Sequence, residues 1–563
     1  MTPNAPFSDS YTRFCDLLTL AEESFAAGDF STSVRLAQIA ARYAYPGHVG
    51  LFASPRLERL LLEIGKQIPI NQTAVARHRE RSSRNILHVL SYGQPIGGDS
   101  RFAWRWIQED GSNRHCIAIT SQADLNGKYD VPEVLIQSAK NTGGFLRTLD
   151  APTSKPLEQA QELRVLCQEM DIVVLHVYPY DIIPVLALAA GCDSVKTLFM
   201  NHADHTFWIG ASVAHSVVHL RQQWPDFLRN RRGLRSDPSP ILPTPLAYSP
   251  PVITSAEAKR ALGYKPDVVL LLTIASPFKY WAPGEITFLD LVTPALAEHP
   301  NVALIAVGPE RKGAWQSASK QTNGRIAPLG RRWDTNVLYA AADVYLDSVP
   351  FSSTTSLLEA GSHGVPLLGY ISSNPEMGLL GPGVPGVDNV MELANDAESY
   401  RALLTRLISD TEFRRRSGQR AQTKILSLHT GSNWIHAVRD LYEIVDRTSV
   451  RGCLLETNDT FKVSLLNWKL LHLYGRQPFG GLHTLLRRYL GSLPYRSRIS
   501  VTWRLQRKGF NLCLENLLPP PVDMILRGGR RWARRIVRER LRLRREGPSK
   551  PWLNKADARC VQG

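Results

Sequence analysis

Cysteine is sparse and scattered. The seven cysteines (15, 116, 167, 192, 453, 513 and 560) form no Cys-x-x-Cys pair, which argues against a disulfide framework or a cysteine zinc site and fits a reducing compartment. Long clean apolar runs are also missing. The most apolar stretch, residues 172–191, is interrupted by His176, Pro179, Asp181 and Pro184, so it reads as strand, loop and helix rather than a membrane span. The first ten residues carry no basic region followed by an apolar run, so no signal peptide is expected. The location expected is cytoplasmic, peripheral on the inner face of the plasma membrane. Acidic residues are scarce near the end: residues 527–545 hold ten arginines against one acid, Glu539.

What is present is mostly ordinary globular sequence. At 563 residues the chain is too long for one core and divides into about three units. A hydrophobic content of 43% and a charged content of 21% are unremarkable, while the net charge of +16 is not evenly spread. Residues 1–80 repeat apolar positions at helical spacing. Tyr11 to Ala27 reads as one helix, Gly28-Asp29-Phe30 as a turn and Ser31 to Ala44 as a second helix. The turn is similar to a tetratricopeptide hairpin, but one unit is too few for a solenoid. A helical cap packed on the next domain is expected.

From residue 84 strands alternate with helices. Asn85 to Tyr92, His115 to Thr120, Asp171 to His176 and Val195 to Met200 read as strands. That alternation implies a doubly wound parallel sheet over 84–235, with ligands at the carboxyl ends of its strands. After the first strand Gly97 and Gly98 would let the backbone approach a phosphate, with a helix beginning near Arg101. Two later strand ends are polar: His176-Val-Tyr-Pro-Tyr-Asp181 and Asn201-His202-Ala203-Asp204-His205. Imidazole takes a proton near neutral pH and a carboxylate can orient it. His202 is therefore the lead for a general base, with Asp204 and His205 as alternates. The other readings of this cluster are hydrogen bonding at a loop end and a zinc site, for which no third ligand is marked. Arg, Pro and Ser crowd residues 229–250, and the interdomain linker is placed at 236–252.

A second α/β domain is expected over 253–448. Val268 to Ile274 is a buried strand, and Lys279 just beyond it can reach a phosphate as a point charge. Residues 343–370 then read as strand, hydroxyl-rich turn, helix, tight turn and strand. Ser352, Ser353, Thr354, Thr355 and Ser356 offer N-cap chemistry, and Gly364 with Pro366 stops the helix. Free amides at a helix start favour an anion. Glu359, about a turn and a half inside, would repel a phosphate nearby but suit a ribose diol further along.

The run Asp343-Val-Tyr-Leu-Asp347, polar turn, Leu357-Leu-Glu-Ala360, Gly364-Val-Pro366 resembles the nucleotide-binding segment of GT-B glycosyltransferases. The resemblance covers roughly residues 84–445. It implies two Rossmann-like domains, a nucleotide-diphosphate sugar donor on the second and an acceptor on the first. It also implies that Glu359 grips the ribose, that Ser353, Thr354, Thr355 and Ser356 lie at the diphosphate with Lys279, and that Gly97 and Gly98 cover it. Many retaining members carry a second Glu eight residues before the first, where this chain has Phe351. The Pro-Phe-Ser-Ser-Thr-Thr stretch is more similar to inverting O-GlcNAc transferases and cytoplasmic N-glycosyltransferases. The role implied is sugar transfer to a glycan, lipid-linked or protein acceptor, in bacterial surface glycan synthesis. No Asp-x-Asp signature sits at a strand end, so no metal and no cofactor is expected.

The tail, 449–563, departs from the resemblance and reads as basic and helical. On a helical wheel Ile525, Trp532, Ile536 and Leu543 share one face, opposite Arg527, Arg531, Arg534, Arg538 and Arg545. That pattern suits an anionic membrane surface better than nucleic acid. Two other readings keep the fold. A nucleotide-sugar 2-epimerase would need neither cap nor tail, and a non-catalytic scaffold is favoured by Phe351 but opposed by Glu359 and Lys279.

Overall fold

Strands covered on both faces need near-continuous apolar runs, which this chain supplies at regular intervals. The computed structural model describes residues 5–70, 83–95, 97–125, 127, 129–150, 155–222, 225–235, 239–281, 286–454, 459, 461–474, 481–510 and 512. In the first sheet β1 (Asn85–Leu90), β2 (Arg114–Ile119), β3 (Leu146–Thr148), β4 (Ile172–His176), β5 (Lys196–Asn201) and β6 (Ser216–His219) lie in the order β3-β2-β1-β4-β5-β6, all parallel. The second sheet repeats this topology with β7 (Val269–Ile274), β8 (Val302–Val307), β9 (Ile326–Gly330), β10 (Val344–Leu346), β11 (Leu367–Tyr370) and β12 (Glu392–Ala394), ordered β12-β11-β10-β7-β8-β9. The expected pair of doubly wound, Rossmann-like domains is thus present. In each, strand order reverses beside the first strand, between β1 and β4 and between β7 and β10. Such switch points open a crevice at the strands' carboxyl ends.

The helical cap is α1 (Ala5–Ala26), α2 (Phe30–Gly47) and α3 (Pro55–Lys66). Asp29 caps α2 by accepting the Thr32 amide, and Ser54 caps α3 by accepting that of Leu57. The cap is bolted to the first domain by buried polar groups. Glu58 accepts the Ser212 amide at 2.9 Å, and Arg164 donates to the carbonyls of Gly65, Ile68, Leu186 and Ala187. The Arg164 guanidinium, buried and donating to four carbonyls, meets the condition under which a buried charge is stable.

The helix Gly431–Arg447 departs from the expected boundary at 448. Its Trp434, Val438, Leu441, Tyr442 and Val445 join the core of the first domain with Ile86, Phe102, Trp106 and Val174. The chain therefore crosses back after completing the second sheet. An amphipathic stripe shows that a helix is half-buried but does not say against which domain. Of the tail expected from 449, described residues up to 474 pack against the cap. Phe461 stacks on Tyr11 at 4.5 Å, Asp459 accepts from Ser54, and Asn467 meets His48 at 2.9 Å. A separate unit begins at Leu482, with helices Leu482–Leu490 and Tyr495–Arg507. The basic segment from Ile525 to Arg545 lies outside the described residues.

Candidate functional site

The second domain contributes the loop between β10 and the helix Thr354–Ser362. Asp347, fully enclosed, accepts the amides of Ser348 and Ser353 through one oxygen, both at 2.9 Å. This carboxylate shapes the turn. The hydroxyl run reads as N-cap chemistry, but Ser353, the N-cap residue, makes no capping bond with its side chain. Among the described residues nothing accepts from the amides of Thr354, Thr355 and Ser356. Three unsatisfied N–H groups at the positive end of a nine-residue helix form an anion site. At the other end Gly364, with φ of +76°, takes the left-handed conformation that ends the helix.

Glu359 projects from the second turn of this helix. Its Oε1 lies 3.4 Å from Arg101 and 3.5 Å from Arg105, and its Oε2 accepts from the Tyr339 hydroxyl at 3.1 Å. Both arginines come from the first domain, on α4 (Gly98–Glu109). Glu359 thus marks where the two domains meet. Sequence reasoning did not single out Arg101 and Arg105. Their four-residue spacing places them on one helix face, but nothing in it names a partner more than 250 residues away.

Lys279 follows β7 as expected, but it is not a free point charge. Its ammonium donates to the Ser352 carbonyl at 2.8 Å and lies 4.6 Å from the centre of the Phe351 ring. Burial pushes its pKa down to about 8, against the pull of Asp347. It therefore fastens the loop that precedes the helix Thr354–Ser362. Phe351, in the place of the absent second Glu, also meets the His205 ring edge-on at 4.5 Å.

In the first domain α4 begins at Gly98, three residues earlier than expected, with Gly97 as N-cap. Gly97 has an extended backbone, and a Cβ added at Gly98 would meet nothing within 4 Å. Neither glycine is required by sterics, and the surroundings of Gly98 are open. The three candidates after β5 separate into different roles. Asp204 is paired through both oxygens with Arg221, which holds its carboxyl far below the usual range. Arg221 in turn donates to the carbonyls of Leu379 and Gly381 in the second domain, so this pair is an interdomain joint and not a base. His205 stands against Asp204 at 3.3 Å and against Phe351. His202 alone turns to the mouth of the first sheet. Its Nε2 meets His176 at 3.1 Å, and its Nδ1 faces Asp99 Oδ1 at 3.6 Å. Burial lowers the His202 pKa, and Asp99 offsets part of that.

The candidate site therefore combines open amides at a helix start, a carboxylate held by two arginines of the first domain and by Tyr339, and, on the first domain, an imidazole whose pKa burial lowers. Among the described residues no group of His, Cys, Asp and Glu side chains could hold a metal ion, and no helix is long and apolar enough to cross a membrane.

No family model and no curated protein matches the chain. Solved structures do align with it. A glycosyltransferase from Rickettsia africae ESF-5 aligns with a TM-score of 0.49 and 11% identity, over 65% of this chain and 100% of that one. Anabaena HepE in complex with UDP and glucose gives 0.46 and 15%, over 64% of this chain and 99% of its own. The O-GlcNAc transferase of Thermobaculum terrenum gives 0.46 and 15%, over 77% and 82%. At such identities the likeness does not extend to particular side chains.

Proposed function

We propose that this chain transfers a glycosyl group from a nucleoside-diphosphate sugar to an acceptor hydroxyl or amide. The observation that carries this reading is the pairing of two half-sites. On the second domain the open amides of Thr354, Thr355 and Ser356 stand a turn and a half before Glu359, which matches a diphosphate followed by a ribose diol. On the first domain His202 and Asp99 supply a base beside the helix that carries Glu359's arginine partners. Gly97 and Gly98 leave the approach to the diphosphate open, and Lys279 fixes its loop. As the acceptor proton passes to His202, the freed electron pair bonds to the anomeric carbon. The bond from that carbon to the diphosphate oxygen breaks, and its pair leaves on the diphosphate. Helix-start amides stabilise the developing charge without a metal ion. Displacement of this kind inverts the anomeric centre.

The acceptor we favour is a glycan or lipid-linked saccharide at an anionic membrane face, as in surface glycan assembly. From Thr460 to Leu514 the chain holds ten Lys and Arg and no acid. On the helix Tyr495–Arg507 the residues Tyr495, Ile499 and Trp503 recur every fourth position and are 57%, 43% and 56% exposed. Aromatic and apolar anchors beside arginines suit a lipid interface.

The test is transfer of label from radiolabelled UDP-, GDP-, dTDP- and CMP-sugars into solubilised membrane acceptors. One of the UDP-, GDP- and dTDP-sugars should label a lipid or glycan fraction, and His202→Ala should abolish this. No incorporation from any of these three, or incorporation from the CMP-sugar alone, would contradict the proposal.

A further inference from the structure

Four histidines form a continuous hydrogen-bonded chain through the first sheet. His115 on β2 faces His88 on β1, Nδ1 to Nε2, at 3.0 Å. His88 Nδ1 meets Nε2 of His176, the last residue of β4, at 3.0 Å, and His176 Nδ1 meets His202 Nε2 at 3.1 Å. His88, His115 and His176 are entirely buried. Parallel strands normally fill such positions with valine or isoleucine, so three imidazoles there call for an explanation.

The two ends of the chain differ in kind. At the inner end His115 Nε2 lies 2.9 Å from the main-chain oxygen of Asp110 and 3.3 Å from its carboxylate. Both partners only accept, so this Nε2 carries the hydrogen. Tyr442 and Asn113 donate to that carboxylate, at 2.6 and 3.0 Å, keeping it ionised. Burial holds His88 and His176 neutral, well below the ordinary imidazole range. A neutral imidazole has one N–H and one lone pair. With His115 neutral as well, each ring accepts on Nδ1 and donates from Nε2, and the direction set at Asp110 passes ring by ring to His202. At the outer end His202 keeps a lone pair on Nδ1. Asp99 Oδ1, at 3.6 Å, is too far to donate a hydrogen bond to it.

We infer that this chain is a tautomer lock, in which Asp110 acts through His115, His88 and His176 to hold His202 as the Nε2–H tautomer, its Nδ1 ready to take a proton. The identity of that proton, the acceptor's, rests on the glycosyl-transfer reading; the lock does not. His88, His115 and His176 are positioning residues. The groups around His202 agree with this. His176 faces it from β4, and Asp99 and the Phe102 ring face it from α4. Tyr178, near Asp99, is kept a neutral phenol by burial. Once Nδ1 takes a proton, the new N–H points at Asp99, whose carboxylate balances the imidazolium. A cluster that merely filled the core would have no need of a carbonyl at one end and an open lone pair at the other.

The direct test is long-range ¹H–¹⁵N correlation on the full chain labelled with ¹⁵N-histidine at pH 7, assigned by single His→Gln variants. His88, His115, His176 and His202 should all show the neutral Nε2–H pattern. An Nδ1–H pattern or an imidazolium at His202 overturns the lock. A second arm compares His88→Leu with His88→Gln, whose amide both donates and accepts across a similar span. His88→Leu should lower kcat about tenfold or more and move the acidic limb of the pH–rate profile. Nucleotide Kd should not change, and His88→Gln should recover most of the rate. Equal losses in both variants with an unmoved profile would make the chain packing alone. If the wild type transfers no sugar, the proposed function fails while the tautomer spectrum still decides the lock.

Discussion

Asp204, Lys279 and Glu359 carry charges that the fold treats in three ways. Asp204 and Arg221 are desolvated together, with side chains 8% and 9% exposed. Removing one partner of such a pair strands the other, at a cost of about 3–5 kcal/mol. Asp204→Ala should lower unfolding free energy by that amount in a denaturant titration. A loss below about 1 kcal/mol would mean that the joint is wet. Lys279 titrates near 8 when folded and near 10.5 when unfolded. Between those values the unfolded chain binds more protons, so stability should rise with pH across this window. A bound diphosphate would favour the charged form. Calorimetry at pH 8 should therefore show proton uptake on nucleotide binding, as a buffer-dependent enthalpy; an enthalpy independent of the buffer would remove Lys279 from the site. Glu359 is held by groups of the facing domain and stays partly exposed, as a ligand-binding carboxylate must.

At the level of elements, the helix Thr354–Ser362 depends on a residue that does not belong to it. Asp347 pins the Ser348 and Ser353 amides and so leaves the next three N–H groups open. Asp347→Ala should cost about 1–3 kcal/mol for stranding these donors. It should also weaken nucleotide binding, measured by thermal melting with and without ligand. Unchanged affinity would mean that the turn is shaped elsewhere. The strands, this helix and its glycine stop were legible in the sequence because parallel strands and helix ends leave local signatures. The anchor of the turn before it was not. A run of five hydroxyl residues is indistinguishable locally from a side-chain cap, yet the helix has none, and it is Asp347, at the end of β10, that holds the turn. The histidine chain was equally hidden. His88, His115 and His176 stand on three different strands, and only sheet register brings them together.

For the whole molecule, the alternation of strands and helices made the two-domain architecture readable, and the spacing of Asp343 to Tyr370 marked the strand, turn and helix on which the proposed donor half rests. The meeting of Glu359 with Arg101 and Arg105 was not readable, nor was the return of Gly431–Arg447 to the first domain. Both depend on how two finished domains pack. The membrane face proposed for the basic end of the chain is tested at this scale too. The full chain should sediment with anionic vesicles and not with neutral ones, and binding should fall as salt rises from roughly 0.05 to 0.5 M. Equal binding to both would contradict a charged membrane face. In the proposed function a nucleoside diphosphate sits on the Thr354–Ser362 helix with its ribose at Glu359. Thermal melting with UDP, GDP, dTDP and CMP, with EDTA present and beside Glu359→Ala, tests it most directly. A ligand that binds the folded state raises the melting temperature by mass action. One of the three diphosphates should stabilise the wild type and leave the variant unmoved; no shift with any of them at millimolar concentration, a shift with CMP alone, or equal shifts in both proteins, would contradict the account.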